Sequence, residues 1–217
     1  MMPPARPGER SSAEPDSEGD GADANLPPES RFVVTDIDRR RLMDVVNEAM
    51  AIYTAAMGYQ PGVGRQRAAH VLRHSEFPAF RFRAAVNGHG RLIGFAYGYT
   101  SLAGQWWHDL VRRAVGEPGA PWLDNAFELS ELHVSPVSQG RGVGEAILRS
   151  LADGLPHRTM VLSTPEGENR AWRLYRRLGF VDLARNHLFP GDHRPFGVLG
   201  ATLPLGEHRP RTTADPD

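Results

Sequence analysis

The chain has 217 residues, 40% of them hydrophobic, and a formal net charge of -1. That length suits one domain with a core of its own, and the near-zero charge gives neither a footprint for nucleic acid nor a polybasic patch for a membrane. No apolar run of roughly 18 or more residues marks a spanning helix, the N-terminus lacks the apolar stretch of a secretory signal, and the absence of cysteine excludes disulfides, thiolate metal ligands and a cysteine acyl-enzyme. A cytoplasmic protein is expected, with no metal, no nucleic acid and no membrane partner. All 25 basic residues are arginine, a bias of the kind GC-rich bacterial genomes produce.

Residues 1–30 hold six prolines and seven acids against two arginines. Such a stretch buries too little apolar surface to offset its ordering entropy, so a disordered acidic arm is expected there, a domain over 31–205 and a loose tail over 206–217. Phe32–Thr35 reads as a short strand. Asp36 or Asp38 can cap a helix running to Met57, with Leu42, Val45, Val46, Ala49 and Ile52 on one stripe. Gly58 and Pro61-Gly62 break it, and a second helix follows over 64–76. Residues 80–86 alternate as a strand, Asn87-Gly-His-Gly90 turns a hairpin, and 91–101 is its partner. Residues 103–125, with Trp106, Trp107 and Trp122, read as a loop of a length that is often functional. Phe127–Val134 is the next strand, followed by a glycine-rich turn, a helix over 142–154, a strand over 158–164, a helix over 168–178 and strands near 180–189 and 197–204. The order β-α-α-β-β-β-α-β-α-β-β predicts an α+β fold with a mixed sheet, not an alternating βα series.

The densest information lies where the strand ending Leu132-His133-Val134 meets Gln139-Gly140-Arg141-Gly142-Val143-Gly144-Glu145. The first amides of a helix have no internal partner and point outward at the positive end of its dipole, so an anion can take them up. The three glycines let it approach closely, and Arg141 adds charge at the rim. Glycines that simply turn a strand into a helix are the plainer reading. A P-loop is excluded because it needs a lysine. A Rossmann fingerprint is disfavoured because the upstream pattern is not βαβ and only 73 residues follow Gly144.

The pattern Leu132-x-Val134-x-Pro136-x-x-Gln139-x-x-Gly142-x-Gly144 resembles the acetyl-CoA motif of the GNAT superfamily of N-acetyltransferases. Ala171-x-x-Leu174-Tyr175-x-x-Leu178-Gly179-Phe180 is similar to the later helix of that family. The resemblance covers about residues 31–204 and implies a GNAT-like, mostly antiparallel sheet flanked by helices, with acetyl-CoA as co-substrate. It implies that main-chain groups of Leu132, His133 and Val134 pair with the pantetheine arm. Amides from Gln139 through Gly140, Arg141, Gly142, Val143 and Gly144 to Glu145 would hold the pyrophosphate, and Tyr175 would stand near the thioester sulfur. Where the family often carries an asparagine on the cofactor, this chain has Glu168, with Asn169 one place later as the candidate contact. Homodimers are common among the proteins it resembles, which leaves a homodimer as an open expectation.

Acetyl transfer to an amine needs a neutral nucleophile, donors for the oxyanion and a proton for the leaving thiolate. A thiol with pKa about 8.5 is served by a tyrosine at about 10, which makes Tyr175 the candidate acid, although it also fits the apolar stripe of its helix. Glu128 and Glu131 are candidate bases, and Glu128 stands where some histone acetyltransferases carry theirs. Their spacing puts them on opposite faces of a regular strand unless a bulge intervenes. An exposed carboxylate and an arginine's partner are the alternative roles. Trp106, Trp107, Trp122 and Tyr59 are candidates to line an acceptor pocket, or else pack on the core or a dimer interface. The expected reaction is direct transfer to a primary amine of a small molecule or protein. The alternative is an acyl-CoA sensor of the same fold without turnover.

Overall fold

The computed structural model describes residues 31–60 and 62–206. The arm expected over 1–30, and all of the expected tail except Gly206, lie outside the described residues. Seven strands form one sheet: β1 (Phe32–Asp36), β2 (Arg81–Asn87), β3 (Leu92–Ser101), β4 (Ala126–Val134), β5 (Thr159–Pro165), β6 (Val181–Leu188) and β7 (Pro195–Thr202). Their order is β1-β2-β3-β4-β5-β7-β6, and only the β4–β5 pair is parallel. The mixed α+β sheet read from the sequence is therefore the observed architecture.

Five helices cover it. In α1 (Arg39–Met57) the Asp38 carboxylate accepts the amides of Arg40 and Arg41, both at 2.9 Å, and Gly58 ends the helix at φ 66°. With α2 (Val63–His74), α1 covers the half of the sheet that contributes Phe82, Phe95, Tyr97 and Tyr99. On the opposite face α4 (Val143–Ala152) and α5 (Arg170–Arg177) pack on Phe127, Leu129, Met160 and Leu162. Ile147, Leu148 and Leu151 are fully buried there, each such side chain contributing roughly 1.5–3 kcal/mol. That packing fixes where the N-terminus of α4 stands.

Residues 103–125 are not a loop. They contain α3 (Trp106–Gly119) and a single 3-10 turn over Ala120–Trp122, so the order gains a helix between β3 and β4. Trp107, Leu110, Val111 and Val115 fall at i, i+3, i+4 and i+8 and bury against Val161 and Val198. The usual punctuation is missing. Gln105 precedes the helix without capping it, its side chain instead accepting from the Leu102 amide at 2.8 Å, and the chain kinks at Gly116 (φ 62°) just before Pro118.

The feature that positions the site is a failure of pairing. β4 and β5 are in register only at Ala126–Thr159, Phe127–Met160 and Glu128–Val161. Beyond Glu128, β4 stays with β3 as far as Val134, while β5 leaves with β7. The sheet therefore opens into a V whose apex is Glu128.

Candidate active site

A cavity of about 1070 Å³ fills the V. Its walls are Glu128–Val134 of β4, Leu162–Pro165 of β5, and side chains from α1, α2, α3, α5 and the β6–β7 connection. Along β4 the Ser135 amide donates to Ile93 O of β3 at 2.8 Å. By alternation the main-chain groups of Val134 and Leu132 turn the other way, toward the edge that β5 has vacated. There the Gln139 side-chain amide donates to Val134 O at 3.1 Å, tying the glycine turn to the end of the strand.

Glu128 and Glu131 share a face, because β4 carries a bulge. Gly98 of β3 pairs with Leu129, yet Tyr97 pairs with Glu131, so Ser130 is the extra residue. Gly98 permits this, since a side chain there would overlap Phe127 and the Glu128 carbonyl. The two carboxyls have opposite surroundings. Glu131 accepts Arg67 Nε at 2.7 Å, a second bond from Arg67 Nη2, and contacts His133 Nε2 at 2.6 Å. Burial works to raise its pKa, but Arg67 and His133 outweigh it and hold the carboxyl at about 2. Glu128 is 3% exposed and receives a single bond, 2.8 Å, from the Tyr99 hydroxyl to Oε1. Its Oε2 is buried with no partner among the described residues. Burial pushes Glu128 up to about 8, against the smaller opposing pulls of Tyr99 and Arg67. A carboxyl poised there can exchange a proton with an amine near neutral pH, whereas Glu131 is already saturated.

Tyr175, on α5, lines the same cavity and is 6% exposed. Burial, and then the Glu131 charge, push its phenol above the ordinary value, so it stays protonated. No group among the described residues hydrogen-bonds its hydroxyl.

The turn before α4 has Gly140 at φ 82° and Gly142 at φ 79°, the left-handed region that L side chains avoid. A Cβ on Gly144 would meet Leu174 at 3.4 Å and Val134 at 3.6 Å, ordinary packing distances, so the glycines that the backbone itself requires are Gly140 and Gly142. The first intrahelical bond is Ala146 N–H to Gly142 O at 3.0 Å. The amides of Val143, Gly144 and Glu145 precede it, at the positive end of the helix. Arg141 is exposed on the turn. The Glu145 carboxylate is occupied by Arg149 (3.0 Å) and Arg177 (2.8 Å), leaving only its main chain for a ligand. Asn169 lines the cavity, but its Oδ1 caps α5 by accepting the Trp172 amide at 3.1 Å.

Of the expected acceptor residues, Tyr59, Trp106 and Trp107 line the cavity. Trp107 is fixed by an indole bond to Ser163 Oγ at 2.9 Å. Trp122 does not join them: it packs over Gly200 and its carbonyl accepts from Thr159 Oγ1 at 2.8 Å. Sequence reasoning missed Tyr99, Arg67 and the α2 face altogether. Arg67, His70, Arg73 and His74 recur at helical spacing in front of the cavity, and that periodicity of polar residues was the signal available.

A family model described as Acetyltransferase (GNAT) family matches residues 47–180. The chain is 39% identical over 211 residues to the GCN5-like protein acetyltransferase of Mycobacterium tuberculosis, covering 83% of this chain and 97% of that one. Among solved structures, yncA of Salmonella typhimurium with its cofactor acetyl-CoA superposes with a TM-score of 0.56 at 16% identity, covering 85% of this chain and 99% of that one. Spermidine N-acetyltransferase from Vibrio cholerae, in complex with CoA and spermine, superposes at 0.51 and 15% identity, covering 80% and 96%. The chain, with its split β4–β5 pair and its glycine turn at the head of α4, belongs to the GNAT family of acetyltransferases.

Proposed function

We propose that this acetyltransferase moves acetyl from acetyl-CoA to a primary amine by direct attack in a ternary complex. The observation that carries the reading is Glu128 Oε2: a buried, unpartnered carboxyl oxygen at the apex of the V. The pyrophosphate fits the amides from Gln139 to Glu145, where the helix dipole and the left-handed glycines leave donors exposed. The pantetheine arm then pairs with the cleft-facing main chain of Leu132 and Val134 as an added strand would. The main-chain groups of His133 turn toward β3 and its ring is engaged with Glu131, so no contact with the cofactor is assigned to it.

In this mechanism the amine, having shed its first proton to solvent, attacks the thioester carbonyl carbon with its lone pair and gives its next N–H proton to Glu128, directly or through one water. Main-chain N–H groups on the free β4 edge are the donors available to the oxyanion. As the C–S bond breaks, the thiolate takes the Tyr175 phenolic proton, which solvent later replaces. Glu131 holds its charge throughout and keeps Arg67 and His133 in place, so it shapes the cavity without exchanging protons. The description of the mycobacterial relative adds a protein amine to the small-molecule amines as an acceptor class.

The test is isothermal titration with acetyl-CoA followed by thiol release across an amine library. Micromolar binding and amine-dependent release are expected. An absence of heat with acetyl-CoA sinks the reading. Binding without release by any amine leaves an acyl-CoA sensor instead.

A further inference from the structure

The acceptor side of the cavity is walled by one face of α2, bearing Arg67, His70, Arg73 and His74 at i, i+3, i+6 and i+7. Most cationic groups around the cavity are already matched. Arg67 is spent on Glu131. Arg194, opposite, holds Asp192 at 2.6 Å and donates to the Tyr59 hydroxyl at 2.7 Å. Arg170 faces the other end and donates to Gln139 Oε1 at 3.5 Å. His74 is kept neutral, burial and then Arg67 lowering it to about 4, and its Nδ1 meets Tyr97 OH at 3.2 Å. His70 Nδ1 contacts Gln66 O at 3.0 Å, leaving Nε2. The Arg73 side chain makes no hydrogen bond or ion pair among the described residues. No carboxylate of the cavity is available to it: Glu131 and Asp192 are taken, and Glu128 lies buried against Tyr99.

We infer that Arg73, with His70, forms a subsite for a carboxylate carried by the acceptor near its reactive amine. This rests on reading the cavity in front of Glu128 as the seat of that amine. An alkylamine has a pKa of about 10.4 and arrives as a cation, which an uncompensated arginine disfavours. An acceptor that brings its own carboxylate arrives with that charge offset, and its anion meets an arginine whose side chain has no partner among the described residues. Two sources share this chemistry: a free amino diacid, or a lysine beside an acidic residue in a peptide.

Thiol-release rates with matched acceptors separate them. One arm compares a lysine peptide flanked by glutamate, glutamine or arginine; the other compares free glutamate, its diamide (which carries no carboxylate) and spermidine. The acidic member is expected to lead in at least one arm, and that arm names the source. Arg73→Gln should lower the acidic-over-neutral ratio of kcat/KM about fivefold, the size of a partly exposed ion pair. Arg113→Gln, an exposed arginine outside the cavity, should leave the ratio unchanged. Neutral or basic acceptors leading in both arms, no turnover with any member, or a ratio insensitive to Arg73→Gln overturns the subsite. Titration of acetyl-CoA into the same proteins keeps the failures apart. Lost cofactor binding strikes the proposed function, whereas intact binding with no acidic preference strikes this inference alone.

Discussion

At the α4 end of the cleft the groups open to a ligand are main chain: the vacated edge of β4 at Leu132 and Val134, which lines the cavity, and the amides at the head of α4, beyond Gln139 at the cavity's rim. At the Glu128 end they are side chains, drawn from β3, β4, α2 and α5, and each is defined by its partner or by lacking one. The difference teaches where sensitivity should lie. A main-chain site depends on the glycines that shape it and tolerates change elsewhere. A side-chain site can be lost by removing one proton. The contrast between Glu128 and Glu131 makes the point within three residues of one strand, since one carboxyl keeps an oxygen without a partner among the described residues and the other has both engaged.

The largest expected effect is at that oxygen. Glu128→Gln should lower kcat by roughly 10²–10⁴, the usual range for a general base, with little change in the acetyl-CoA Kd. A near-normal kcat in steady-state assays would remove Glu128 from the mechanism and blur the division between the two ends. Next comes the turn. Gly142→Asp should weaken acetyl-CoA more than about tenfold, because it combines roughly 1–2 kcal/mol of left-handed strain with a carboxylate beside the pyrophosphate. The site around the missing Cβ is open, so the fold should survive; unchanged affinity by calorimetry would rule the turn out. Tyr175→Phe should cost about tenfold in turnover, below the usual range of acid–base contributions because water can protonate a thiolate in its place, without weakening the cofactor. A wild-type rate across pH 6–9 would leave the tyrosine as packing.

The same division governs what the sequence discloses. The glycine turn is legible because main-chain geometry needs particular residues at fixed offsets: Gly140 and Gly142, both at positive φ. The acceptor end is not. Tyr99, Arg67 and Glu128 are 29 and 61 residues apart in sequence steps, and nothing local marks their meeting. The bulge at Ser130 decides which face Glu128 takes, yet its cause is Gly98 on the neighbouring strand. Asn169 carries two signals at once, since it lines the cavity and caps a helix. Its identity suggests a ligand contact, while its position just before Arg170 makes it a helix cap. The missed α3 had a sound apolar stripe, but a Gln105 start and a Gly116–Pro118 finish concealed its ends.

A last effect, on stability and not on turnover, follows from the pKa contrast and reads the two carboxyls separately. Glu128 is raised from an ordinary 4.5 to about 8, so the folded state keeps a proton that the unfolded chain releases. Its contribution is fully present below pH 4.5 and declines as pH rises toward 8, by at most about 1.4 kcal/mol per pH unit. Glu131 is lowered from 4.5 to about 2. Its contribution is present above pH 4.5 and is lost as pH falls toward 2. Urea unfolding of Glu128→Gln should therefore flatten stability between pH 4.5 and 8, while Glu131→Gln should leave that window's slope and lose the acid-side one. The second variant also strands Arg67, 34% exposed at its side chain, so it should be less stable throughout, by up to about 3–5 kcal/mol if the arginine stays buried. Matching slopes in wild type and Glu128→Gln would mean the apex carboxyl is hydrated, and an amine would then find there no better base than water-exposed glutamate.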